Sequence, residues 1–304
     1  MLPARTLHRE VVQTLLYYDI WHYPLNAREI FAFLPVNSIS FAEFKEHIHR
    51  MTEERSILEK EGFYFIPGRS AGIVELRRKR ERHARRLWRM ARLSMHVIKR
   101  FPFVRGVFVS GDLSKNATTP KSDVDFFIVT EPGRLWITRT LLILFKKTFL
   151  LNSKKFFCLN YFASMDHLEL DEQNIFLATE VAQIKPLYNE RLFRSYLQAN
   201  SWIKHYFPNF DPALLPAERT DEKQSLLQGI FEFPFRLLPA EQLDRWLQQK
   251  MEVVWKKRYP QFDDVTRQRI FRCSRHESRA YVGDFQTRIL ALYSQRLREF
   301  GVND

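Results

Sequence analysis

Two apolar runs constrain this chain most: Val104 to Val109, closing on Ser110-Gly111, and Val124 to Thr130, opening on the acidic pair Asp123 and Asp125. Their length and apolar content, with turn residues at their ends, predict strands. A loop and short helix over Gly111 to Asn116 joins them. A turn at Glu131-Pro132-Gly133 then leads into a helix from Leu135 to about Leu151, and Phe156 to Ala163 gives a third strand. Strand, helix, strand, helix, strand implies a mixed sheet flanked by helices, so the fold class expected is α+β.

The strands occupy a small part of 304 residues, of which 45% are hydrophobic and 27% charged. Such a balance belongs to a folded chain, and the length suggests two or three modules. Phe is abundant at 27 against 9 Gly, which favours packed elements with few glycine-rich connections. Residues 1–70 read as a small unit with helices over Leu7 to Trp21, Asn26 to Leu34 and Phe41 to Glu54, the last capped by Ser40. A strand pair, Ile57 to Lys60 and Phe63 to Ile66, turns at Glu61-Gly62. Residues 71–100 form one basic connecting helix, its inward stripe Leu87, Ala91, Ser94, Met95 and Ile98. Nine cations between Arg77 and Arg92 surround its axis, suiting a solvated face or a phosphate-binding connector.

Residues 101–190 make the sheet core, and 191–304 a helical C-terminal region. Beyond residue 171 the helical patterns are Glu172 to Gln183, Glu190 to Tyr206, Glu241 to Tyr259 and Phe285 to Phe300. Proline-containing loops separate them, including the stretch around Pro234 and Pro239. Trp202, Trp246 and Trp255 are expected in the core. The segment Arg275-His276-Glu277-Ser278-Arg279 suggests a helix-surface cluster of ion pairs.

A net charge of +13 and a pI near 9.8 favour polyanions as partners: nucleic acid, nucleotides or an acidic membrane face. Cys158 and Cys273 stand alone, with no metal or disulfide spacing, which fits a reducing cytoplasmic setting. Charges inside the apolar runs argue against a secretory signal, and Arg139, Lys146 and Lys147 against a membrane span in the most apolar helix.

Asp123 and Asp125, two apart at a strand start, project to one side and can share a cation, for which Mg²⁺ is the natural choice beside phosphates. The series Val109-Ser110-Gly111-Asp112 through Ser122-Asp123-Val124-Asp125-Phe126-Phe127-Ile128-Val129 resembles the signature of the DNA polymerase beta nucleotidyltransferase superfamily. The resemblance covers roughly residues 101–165. It implies transfer of a nucleoside monophosphate from a nucleoside triphosphate to an acceptor hydroxyl. It also implies that Asp123 and Asp125 hold metal, that Gly111, with Ser110 and Ser122 beside it, approaches the nucleotide, and that Asn160 occupies the place of a third carboxylate. The unit over 7–67 resembles a winged helix-turn-helix, with Phe41 to Glu54 as its recognition helix, offering Lys45, His47, His49 and Arg50 among several Glu residues.

Two departures from the superfamily pattern stand out. Asp112 follows the glycine where a small residue is usual, and its charge repels a triphosphate unless a metal or Lys115 offsets it. Asn160 can ligate a cation through its oxygen, but it cannot act as a general base. Asp166 lies six residues further on and serves only if the strand is shifted. Glu180 and Lys185 are expected to border the cleft. The alternative to an enzyme is a catalytically decayed transferase fold acting as a nucleic-acid-binding or nucleotide-sensing module.

Overall fold

A computed structural model describes residues 4–36, 39–153, 155–263, 266–267, 270–280 and 285–302. The chain opens with helix α1 (Ala4–Asp19), strand β1 (Leu25–Asn26), and helices α2 (Ala27–Ala32) and α3 (Phe41–Glu53). Both α2 and α3 begin with a capping box, Asn26 with Glu29 and Ser40 with Glu43, each pair satisfying backbone N–H groups at both ends of the first turn. The hairpin β2 (Leu58–Lys60) and β3 (Phe63–Phe65) follows, and β1 adds to it in the order β1-β3-β2.

Helix α4 (Gly72–Ile98) matches the predicted connector. Leu87, Ala91, Met95 and Ile98 are buried, and the half-buried Ser94 donates to the Phe156 carbonyl at 2.7 Å. The arginine run does not behave uniformly. Arg82, Arg85, Arg86 and Arg89 are exposed, whereas Arg77 is buried and pairs with Glu29 at 2.7 Å.

The main sheet has six strands in the order β7-β4-β5-β6-β9-β8. Strands β4 (Val104–Ser110) and β5 (Asp125–Thr130) are antiparallel and joined through α5 (Gly111–Ser114); β6 (Cys158–Ser164) is parallel to β5 and reached through α6 (Leu135–Phe149). After α7 (Ile175–Gln183), strand β7 (Lys185–Tyr188) adds to the far edge of β4. Successive residues of β5 face opposite sides: Phe126 and Ile128 pack with α4, α6 and the later helix α11 (Ala240–Arg258), while Phe127 and Val129 join a cluster that runs into the N-terminal unit. With both faces covered, the strand is an unbroken apolar run.

The C-terminal half departs from expectation in four places. The helix predicted over Glu190 to Tyr206 is split into α8 (Glu190–Ala199) and α9 (Ile203–Tyr206). Asn200 at the break is fully buried, and its amide bonds the Leu168 carbonyl and the Leu170 N–H at 2.8 and 2.9 Å, offering the backbone an alternative to the helix. The proline-containing stretch near Pro234 is a helix, α10 (Leu226–Arg236), with Pro234 in its last turns. The Arg275 to Arg279 segment belongs to a hairpin of β8 (Phe271–Cys273) and β9 (Glu277–Ala280), which pairs with β6. Of the three tryptophans, Trp255 is buried, Trp202 half-buried and Trp246 exposed with Lys250 over its ring.

Helix α12 (Phe285–Glu299) returns to the N-terminal unit, where Tyr293 packs edge-on against Tyr17 and Arg296 lies 3.6 Å from Asp19. Among the described residues, no helix is long and apolar enough to cross a membrane.

Candidate active site

The site begins where β4 ends. Ser110 pairs with Asp125 across the antiparallel ladder, so the turn after Ser110 passes directly over the Asp125 carboxylate. Gly111 has φ +67, and a Cβ there would stand 2.5 Å from Asp125 Oδ2. Both the left-handed backbone and the close approach require glycine. Beyond it, Ser122 donates to Asp112 Oδ2 at 2.7 Å and accepts from the Thr119 N–H at 3.0 Å. Ser122 therefore fixes Asp112.

Asp125 is the first residue of β5, and Asp123 lies in the turn before it. Their carboxylate oxygens and the Cys158 thiol lie within 4.8 Å of one another, because Cys158 pairs with Asp125 in the parallel ladder. Burial first, and the neighbouring Asp123 charge second, push the Asp125 carboxyl up to about 7; the Cys158 thiol pulls it down, and Asp112 and Glu180 add to the rise. Burial first, and then the Asp125 and Asp123 carboxylates, push the Cys158 thiol upward. Cys158, isolated in the sequence, reaches the acids only through the parallel strand register.

Asn160 sits where the β5–β6 register shifts between Phe126 and Phe127. Its amide nitrogen donates to Asp125 Oδ1, and its oxygen accepts from the Cys158 thiol at 3.1 Å. The amide thus orients Asp125 from one side. Asp166 is not a substitute carboxylate: it follows Ser164, which pairs with Thr130 at the opposite end of β5, and it bonds the Ser164 hydroxyl with His276 3.4 Å away. At roughly 3.3 Å per residue that end is far from Asp125.

Ser110, Gly111, Asp112, Asp125 and Asn160 line one side of a cavity of about 340 Å³. Asp123 and Ser122 stand outside its lining, Asp123 beside Asp125. Phe127 and Tyr161, on the same sheet face as Asp125, also line the cavity, together with Trp21 of the N-terminal unit, Phe176 and Val181 of α7, and Ile289 of α12. Glu180, as expected, borders this space and pairs with Lys115. Lys185 does not; it is buried near Tyr23 and Glu29, and burial pushes its ammonium down to about 8. Arg279 of β9 lines the cavity, while the neighbouring Glu277 carboxyl is held above its ordinary range by burial.

No known protein family matches the chain, and neither a curated protein nor a solved structure is similar to it. The site's own chemistry carries the functional argument. Two hard oxygen donors side by side suit a divalent cation such as Mg²⁺, for which sulfur is a poor ligand.

Proposed function

We propose that the chain is a Mg²⁺-dependent nucleotidyltransferase of the DNA polymerase beta type, moving a nucleoside monophosphate from a nucleoside triphosphate to an acceptor hydroxyl. The observation that carries this reading is the Gly111 turn laid over Asp125, with Asp123 alongside, at the mouth of an aromatic-walled cavity. Asp123 and Asp125 would hold Mg²⁺, which supplies charge neutralisation for phosphate oxygens. Gly111, lacking a side chain, lets phosphate approach the backbone. Phe127, Tyr161 and Phe176 offer the flat apolar surfaces that a base stacks on. The Lys115 ammonium, bonded to Glu180, offsets part of the acidic charge of the wall. The order of strands β4 to β6 and the helices between them support this fold, and the three helices and hairpin of residues 4–65 support a winged-helix unit.

On the third helix of that unit Lys45, His49 and Arg50 are exposed. His47, one of its candidate contact residues, is buried against α1 and held below its usual range, first by burial. A second reading rests on Asn160: no carboxylate stands at the third position, and the amide there cannot accept a proton. In it the fold binds or senses a nucleotide without turnover.

Calorimetric titration of ATP, GTP, CTP and UTP with Mg²⁺ tests both. Metal-dependent binding of at least one nucleotide, lost in Asp123→Ala/Asp125→Ala, is expected. Pyrophosphate release with an acceptor then separates the enzyme from the sensor, and failure of all four nucleotides to bind overturns both.

A further inference from the structure

Helix α10 is built inside out. Its buried positions are Gln228, Glu232 and the half-buried Phe235, spaced four and three apart on one face. Gln228 donates to the carbonyls of Phe101 and Val104 at 3.1 and 2.6 Å, and Glu232 accepts from the Phe103 N–H at 2.8 Å and from Arg105 at 2.7 Å. The opposite face is apolar. Leu226, Ile230, Phe233 and Leu237 recur at intervals of four, three and four, and their exposures are 90%, 65%, 62% and 72%. An amphipathic helix whose polar side is satisfied inward and whose apolar side meets water must have something to cover that side.

A second exposed apolar patch lies at and just after the end of α6. The Phe101 carbonyl that receives Gln228 belongs to a residue whose ring packs edge-on against Phe145 at 5.3 Å, and Phe145 stacks on Phe149 at 5.1 Å. There the end of α6 exposes Leu144, Phe149 and Leu151. Within α10 and the end of α6 the exposed charges are cationic; the flanking acids Glu222 and Glu241 are engaged by the Glu190 N–H and by Arg275, and Arg139 and Lys146 are buried. Between Leu226 and Pro239 the ionisable residues are Glu232, buried on Arg105, and the exposed Arg236. From Arg134 to Met165 the sequence has six Lys or Arg and no Asp or Glu, and Lys147 and Lys155 are exposed there, as is Arg100 beside Phe101.

We infer that α10 and the end of α6 form a docking face for an anionic lipid bilayer surface, α10 lying in the interfacial plane. Leucine and phenylalanine enter the headgroup boundary while the cations at the rim meet acidic headgroups. The rim favours lipid over a second copy of the chain, since an isologous pairing would bring like charges together in a protein already at +13. The inference stands apart from the nucleotidyltransferase reading.

Co-sedimentation of the full chain with vesicles of phosphatidylcholine alone, or mixed with phosphatidylglycerol, tests it. Binding to the anionic vesicles that weakens with added salt is expected, with little binding to the neutral ones. Ile230→Ser/Phe233→Ser/Leu237→Ser should reduce it about tenfold or more, since three apolar side chains are withdrawn from the headgroup boundary. Arg100→Glu/Lys147→Glu should abolish the preference for anionic lipid. All five positions are exposed, so circular dichroism should be unchanged. Absent binding or indifference to lipid charge overturns the inference. So does a wild-type dimer in sedimentation equilibrium that the triple variant converts to monomer, which assigns the face to a second copy.

Discussion

At the scale of single residues, Gly111 decides whether the two halves of the site can touch. An L-residue in the left-handed region costs ~1–2 kcal/mol, and here a Cβ would also press on the Asp125 carboxylate. Gly68 shares the positive φ, at +88, but faces open space. Urea denaturation should therefore show Gly111→Ala losing about 2 kcal/mol or more, and Gly68→Ala only about 1 kcal/mol, the backbone share. Equal losses would mean that the approach to Asp125 is not tight. The site residues legible in the sequence were those with a local signature: a glycine after a strand and acids two apart. Cys158 was not legible, because its place beside Asp125 depends on a parallel register set by a crossover, and neither was the inward-turned bond of Ser122.

At the scale of elements, α4, α6 and α11 were legible to within a few residues from their apolar spacing, although none has a side-chain cap, whereas the helix expected over Glu190 to Tyr206 breaks at Asn200. Arg77 shows what spacing omits. It lies in a run of cations yet is buried, donating to Glu29, Glu81 and the Pro24 carbonyl, with its guanidinium 4.4 Å from the rings of both Tyr23 and Phe63. One guanidinium thus fastens α4 to the N-terminal unit. Removing it strands the Glu29 carboxylate, and Arg77→Met should cost ~3–5 kcal/mol. Glu29→Gln keeps an acceptor for the α2 capping box while removing the charge, so the double variant Arg77→Met/Glu29→Gln should recover part of that loss. A double-mutant cycle by urea denaturation checks this, and simple additivity would deny the coupling. Helix α10 escaped prediction for a related reason: Pro234 within it and Pro239 after it suggested loop, and its periodicity points outward, where no core announces it.

At the scale of the whole molecule, the cavity is assembled from segments that lie far apart in the chain. Trp21 comes from the turn after α1, Asp125 and Asn160 from the central strands, Val181 from α7 and Ile289 from α12. Such convergence leaves no trace in local sequence, which is why the acids were predicted and the chamber they open into was not. It also gives a test that leaves the acids untouched. Ile289 is buried, on a helix anchored to α1 through Tyr293 and Arg296, so a larger side chain there projects into space already present. Ile289→Trp should keep the fold, with a stability change within the ~1–3 kcal/mol of ordinary overpacking. If the nucleotide occupies this cavity, its Mg²⁺-dependent affinity should fall about tenfold or more, equivalent to ~1.4 kcal/mol. Thermal denaturation and calorimetric titration read the two effects separately. An unchanged nucleotide affinity with an intact fold would place the nucleotide outside the chamber and leave the space for the acceptor.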